Sequence, residues 1–184
     1  MSNTAAMEEI ASMFLIDLRP YKLEETEEVR KARQYSEVLA SVNDLFVKAL
    51  DVHSNSLGYT PREYWKRRGF SDKTINRMGL GYCPPSVDGK FKDWLSRFPK
   101  DRNDYGLLDK DGYCRFSDRF IIPIHDMYGN IAGFAGRSLT ADAKYLNSYS
   151  NEYFDKSLLL YNYHNARKYN SVIIVEGYAD ALAW

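Results

Sequence analysis

At 184 residues, 45% of them hydrophobic, the chain is long enough for one globular domain, or for one and part of another. Its 25 basic and 25 acidic side chains cancel, so the whole-molecule field argues for neither nucleic acid nor membrane, and any basic surface is local. No apolar run reaches bilayer length, and the polar, acid-bearing start MSNTAAMEEIASMF argues against a secretory signal. Cys83 and Cys114 stand far apart, which excludes a self-contained Cys-rich zinc module and leaves a reduced, cytoplasmic setting as the default.

The first thirty residues carry Glu8, Glu9, Asp17, Glu24, Glu25, Glu27 and Glu28 against few bases. From there Ala32, Tyr35, Leu39, Val42, Phe46 and Ala49 recur at three- and four-residue steps, which predicts an amphipathic helix of roughly seven turns. The preceding glutamates lie where the helix dipole favours anions. After the break at LGYT, TPREYWKRRGF predicts a second helix, with Thr60 as cap, Pro61 at the first position, Glu63 closing a capping box and Gly69 as stop. SDKTINRMG predicts a third, capped by Ser71 and ended by Gly79. This helical pair gathers Arg62, Lys66, Arg67, Arg68, Lys73 and Arg77 against Glu63 and Asp72, the most basic region of the chain. Two readings stand at this point. The bases line a solvated face, or they track a phosphate backbone with Tyr64 and Trp65 interleaved for bases.

GYCPPSVDGK reads as a turn-rich linker, and the tract from Phe91 to Lys110 holds at most a short helix. DKDG is a hairpin-turn candidate. YCRFSDRFIIPIHD and NIAGFAGRSL, rich in β-branched and aromatic residues and separated by MYG, predict an antiparallel pair. Pro123 argues for an edge or a bulge, and Gly133 and Gly136 for close approach by another backbone or a ligand. DKSLLLYNYHNARKYN predicts a helix or turn–helix, and SVIIV a short, fully buried strand. The fold class is α+β: a helical N-terminal part, a small antiparallel sheet, and the start of an α/β unit.

Three stretches could carry chemistry. In SVIIVEGYAD, Glu176 at a strand end beside a glycine is placed to hold Mg²⁺ or to act as a base, and Asp180, four residues on, can face the same mouth. The alternative is that Glu176 only complements a helix dipole and Asp180 is a surface acid. In RFIIPIHDMYGNIAGFAGR, Arg119 and Arg137 suit phosphate or carboxylate recognition, or else pair with local acids such as Asp118 or Asp142. His125 reads as a turn residue, since a lone histidine supports no metal site. In AKYLNSYSNEYFDKSLLLY, Lys144, Tyr145, Asn147 and Lys156 could bind a nucleotide strand.

In order along the chain, YWKRRGFSDKTINRMGLGYCP, DRFIIPIHDMYGNIAGFAGRSL, KYLNS with YFDKSLLLYN, and VIIVEGYAD resemble the catalytic core of DnaG-type bacterial and phage replicative primases. Charge sets off an acidic segment over 1–30, and the resemblance, which runs from about Tyr35, implies a primase catalytic lobe over 31–170 and the opening of the metal-binding TOPRIM fold over 171–184. It implies that Arg119, Arg137, Lys144 and Lys156, with Tyr145 and Asn147, form the wall of a groove for template DNA and nucleotide phosphates. Arg67 and Arg68 extend its basic surface. Glu176, and Asp180 after it, match the acids implicated in metal-assisted catalysis with magnesium or manganese. The family's zinc module has no counterpart, so no zinc site is expected.

A βαβ unit takes about thirty residues and only eight follow Glu176. The expectation is therefore that the TOPRIM DxD acids come from a second polypeptide or a missing segment. The expected partners are that segment, single-stranded template DNA and ribonucleotides, with room for a replicative helicase and none for a membrane. Two competing functions follow: a share in RNA-primer synthesis, or a non-catalytic module that binds single-stranded DNA or regulates replication. Another TOPRIM enzyme, such as a nuclease, fits less well, because the hairpin and KYLNS lie outside the fold such enzymes share.

Overall fold

The computed structural model describes residues 9–16, 26–52, 58–85, 103–109, 111 and 113–183. The chain divides into two compact units, residues 1–31 and 32–184. The first holds a helical turn at residues 9–13 and the opening turn of helix α1 (Glu27–Val52). Glu27 and Glu28 occupy that turn, where the helix N-terminus favours anions, and Glu27 pairs with Arg30 and Lys31.

In the second unit, α1 continues without a glycine or proline and buries Tyr35, Val38, Leu39, Val42, Phe46, Ala49 and Leu50 along one face. Ala32, part of the sequence pattern, is exposed. Each such large apolar side chain contributes roughly 1.5–3 kcal/mol through burial. Helix α2 (Pro61–Arg67) starts as its sequence predicts: Thr60 accepts from the Glu63 N–H, and the Glu63 carboxylate accepts from the Thr60 N–H. Ser71 caps helix α3 (Asp72–Arg77). Gly69 and Gly79, at φ +89° and +61°, leave these helices through backbone that a side chain would strain.

A four-stranded antiparallel sheet follows, in the order β1 (Gly81–Cys83), β2 (Arg119–His125), β3 (Ile131–Arg137), β4 (Tyr145–Asn147). The pair β2–β3 matches the predicted hairpin. β1 corrects the linker reading of GYCPPSVDGK: Gly81, Tyr82 and Cys83 pair with Ile121, Phe120 and Arg119. Three residues are too few to show a period, so only their partner reveals them. β2 is therefore an inner strand over Arg119–Ile121, while Pro123 lies at a local edge where it pairs only with β3, as a residue without an N–H requires. Its β1 neighbour reaches only Ile121, two residues short of the proline, and the register shift falls later, between Ile124 and His125.

Both faces of the sheet are covered. Phe120, Ile122, Ile124 and Ala135 join a core with Trp65, Tyr64, Ile75 and Leu80, while Ile121 and Phe134 join Leu39, Val42, Phe46 and Phe116. That is why β2 reads as a continuous apolar run. Gly133 and Gly136 are approached by side chains, aromatic rings foremost, instead of by another backbone. A Cβ at Gly133 would lie 2.7 Å from the Phe154 ring, and one at Gly136 would lie 2.5 Å from the Phe116 ring. The Tyr35 hydroxyl ties the layers together: it donates toward Ala132 O (3.3 Å) and Tyr105 O (3.4 Å) and accepts from Asn151 Nδ2 (3.0 Å). Burial pushes that hydroxyl up to about 12.

Of DKDG, Lys110 and Gly112 lie outside the described residues; the Asp109 carboxylate accepts from the N–H groups of Asp111 and Tyr113 beside a Leu108–Cys114 bridge. Most of the tract from 91 to 110 lies outside the described residues; Asn103–Gly106 is a 3-10 turn. DKSLLLYNYHNARKYN takes its turn–helix form, a 3-10 turn at Lys156–Leu158 followed by α4 (Tyr163–Ala166). SVIIV is the clearest correction. It pairs with no strand among the described residues, and Val172, Ile173 and Ile174 are 56%, 64% and 79% exposed. A β-branched run favours extended backbone, but a strand exists only through partners across the ladder. Helix α5 (Tyr178–Ala183) follows.

Candidate nucleic-acid interface

β3 and β4 set Arg137 opposite Tyr145. Arg137 Nη1 donates to the Tyr145 hydroxyl at 2.9 Å, and its guanidinium carbon lies 5.3 Å from the centre of that ring. Beneath it the Tyr64 hydroxyl and Arg137 Nε are buried without a well-aligned hydrogen bond. Burial raises the Tyr64 hydroxyl, and the Arg137 and Arg68 charges partly offset this. Arg137 makes no ion pair among the described residues, which sets aside pairing with Asp142. A guanidinium carries five N–H donors, and here Nη1 alone has an aligned acceptor among the described residues. Two residues along β4, Asn147 Oδ1 accepts from the Tyr178 hydroxyl at 2.7 Å. Tyr178 also packs edge-on against Tyr161 at 5.0 Å and lies 6.2 Å from Tyr145. Burial pushes the Tyr178 hydroxyl up to about 12, so it remains a donor.

The other predicted residues distribute unevenly. Lys144 is exposed in the loop entering β4, and Lys156 is exposed at the start of its 3-10 turn, behind the Asp155 cap. Arg119 is 7% exposed and turned inward: Nη1 donates to Ala143 O at 3.0 Å and toward Gly136 O at 3.4 Å. It positions the Lys144 loop. Asp118 instead accepts from the Tyr82 hydroxyl at 2.5 Å, so it does not pair with Arg119. Arg67 and Arg68 are exposed at the end of α2, with Arg67 over the Tyr59 ring at 4.4 Å. Tyr64 and Trp65 correct the base-tracking reading of the helical pair. They are 5% and 1% exposed and pack on Phe120, so they belong to the core.

Glu176 and Asp180 are both exposed and flank Tyr178 in sequence. Sequence reasoning missed Tyr178, which brings their segment against β4; an aromatic between two acids is the only local sign of it. Among the described residues no three potential metal ligands converge. The same residues include no helix long and apolar enough to cross a membrane.

Residues 45–167 match the family described as the DNA primase catalytic core, N-terminal domain. The chain belongs to this DnaG-type family. It is 31% identical to the DNA primase of Salmonella typhimurium over an alignment of 196 residues, covering 96% of this chain and 32% of that protein. It is 33% identical to the DNA primase of Thermotoga maritima, covering 97% and 32%. Among solved structures, a DnaG primase catalytic domain bound to single-stranded DNA superposes with TM-score 0.71 at 30% identity, covering 84% of this chain and 51% of that one. The Escherichia coli primase catalytic core superposes with TM-score 0.67 at 29% identity, covering 80% and 50%. The α+β architecture is that of these cores. The chain spans about a third of the length of the curated relatives it matches. The matched range contains the hairpin and KYLNS; Glu176 and Asp180 lie beyond it.

Proposed function

We propose that this chain forms the template- and nucleotide-binding lobe of a DNA primase and contributes Glu176 and Asp180 to its nucleotidyl-transfer site. The observation that carries this reading is Arg137, a partly exposed guanidinium aimed by Tyr145, without an acid partner among the described residues and with donors to spare. Such a group suits a phosphate. The Asn147–Tyr178 bond links it to the segment bearing the two acids. On this reading Arg137 and Lys144 hold template or nucleotide phosphates, Tyr145 and Tyr178 fix the guanidinium and the acid-bearing turn, and Lys156 with Arg67 and Arg68 extends the electrostatic surface. Positioning and charge neutralisation are the main demands of phosphoryl transfer.

Magnesium is held by one or two carboxylates, with waters and substrate phosphates completing the shell. Glu176 and Asp180, both exposed and one turn apart, fit that modest role for magnesium or manganese. Bound there, the ion would offset charge on the transferring phosphoryl group. In the reaction served, the primer's 3′ hydroxyl would give up its proton to solvent and bond to the α-phosphorus of a ribonucleoside triphosphate as the bond to the departing pyrophosphate breaks. Further carboxylates would come from the rest of the TOPRIM fold, and the assembled enzyme leaves room for a replicative helicase.

The test has two arms. Fluorescence anisotropy with single-stranded DNA should show salt-dependent binding, weakened by Arg137→Ala and by Lys144→Ala. Supplied with the remainder of the catalytic core, template, ribonucleotides and Mg²⁺, the chain should yield short RNA, and Glu176→Gln should abolish it while leaving DNA binding intact. Binding without any RNA product would leave the non-catalytic module as the function. Binding unaffected by both substitutions would remove the groove from this face.

A further inference from the structure

Past Asn147 the chain keeps its pairing with β3: the Ser148 N–H donates to Phe134 O at 2.8 Å, and Ser148 Oγ accepts from the Phe134 N–H at 3.0 Å. In extended backbone residues i, i+2 and i+4 share a face, so Tyr149 continues the row of Tyr145 and Asn147. At about 3.3 Å per residue it stands roughly 13 Å from Tyr145.

Tyr149 is 45% exposed. One side of its ring is covered by Arg115, whose guanidinium carbon lies 3.7 Å from the ring centre. Arg115 is itself held, because its Nε donates to Asn147 O at 2.7 Å. The Tyr149 backbone is held too: it packs so closely on Gly106 that a Cβ there would fall 3.0 Å from Tyr149 O. The surroundings are positive. Arg119 is biased toward losing its charge first by burial and then by Arg115, and Asp118, the nearby acid, already accepts from Tyr82.

We infer that Arg115 and Tyr149 form a base-stacking platform for single-stranded DNA, the next station of the interface after Arg137, Tyr145 and Asn147. This rests on the nucleic-acid reading above. A fixed aromatic ring accepts the face of any base, and the guanidinium behind it attracts the adjoining phosphate. The other role open to the pair, a cation–π contact that only steadies the loop, involves no base.

The experiment compares oligo(dT) with an oligomer of the same length carrying abasic sites, titrated against the chain and its Tyr149→Ala, Tyr149→Trp and Arg115→Lys variants. Circular dichroism checks the fold of each. The platform predicts that the chain prefers oligo(dT). Tyr149→Ala should lose about 5- to 100-fold in affinity for it and leave abasic binding unchanged. Tyr149→Trp should keep the preference, and Arg115→Lys should reduce it while retaining the salt dependence. Equal binding of both oligomers by the unaltered chain, or a preference that survives Tyr149→Ala, overturns the platform and leaves the Arg137 interface standing. No binding of either oligomer overturns the nucleic-acid reading itself.

Discussion

The helical pair α2–α3 and the β4 row hold positive charge in opposite ways. In the pair, charge is dense along the sequence, but Arg62 and Lys66 are engaged by acids, and it is Arg67 and Arg68 at the end of α2 that stay exposed. Arg62 donates to both Asp51 oxygens at 2.6 and 2.9 Å and reaches Asp72 at 3.4 Å and Asn76 at 3.2 Å; Lys66 donates to Asp72 at 2.9 Å. The aromatic residues among these bases point into the core. In the β4 row charge is sparse but available: Arg137 is steered by a tyrosine instead of neutralised by an acid. Local density of lysine and arginine therefore says little about a phosphate site. What matters is which cations the fold leaves without a carboxylate.

The comparison breaks most decisively at Trp65. Trp65→Ala should cost about 3–5 kcal/mol of stability in urea titrations, because it empties a site packed by Phe70, Tyr64 and Phe120. A well-folded variant that had lost only DNA binding would restore the base-stacking reading of the helical pair. Next comes salt dependence. Arg137→Ala should lower the slope of log affinity against log salt by about one, while Arg62→Ala with Lys66→Ala should leave it nearly unchanged. Equal slopes lost in both would erase the distinction between engaged and available charge.

Acid separates the regions by pH window. Burial, and then the His164 ring 4.7 Å away, lowers His125 from 6.5 to about 4. The unfolded chain then takes up that proton first, so stability is full above pH 6.5 and drains as pH falls toward about 4. In the helical pair, the Lys66 hydrogen bond holds Asp72 below the usual carboxylate range, so its contribution persists until pH falls through that range. His125→Gln should flatten the pH 4–6.5 part of the stability profile and leave the more acidic part alone; denaturant midpoints across pH measure this. The smallest effect is local. Thr60→Ala removes the α2 cap and should cost about 1 kcal/mol, read as a lower melting temperature with DNA binding retained.

Much of the site was legible residue by residue, but not its division of labour. Arg119 and Arg137 look equivalent in sequence, one at each end of a hairpin. Arg119 sits beneath the β3–β4 loop and donates to main-chain carbonyls, whereas Arg137 keeps its fork partly exposed. Apart from the two acids flanking Tyr178, nothing local marks Tyr178, Tyr149 or Arg115, because their partners lie 31, 34 and 32 residues away.

The sequence by itself determined the elements whose bonds are short-range: α1 through its apolar stripe, α2 and α3 through Thr60, Glu63 and Ser71, and the β2–β3 hairpin through its β-branched and aromatic residues about a tight turn. The motif order also pointed to the primase family. Tertiary structure alone decided that GYC is a strand, that it stops short of Pro123, that Tyr64 and Trp65 are core, and that SVIIV pairs with no strand among the described residues. Helix caps and tight turns close their hydrogen bonds within a few residues. Strand identity and the availability of a charge depend on what distant segments bring alongside.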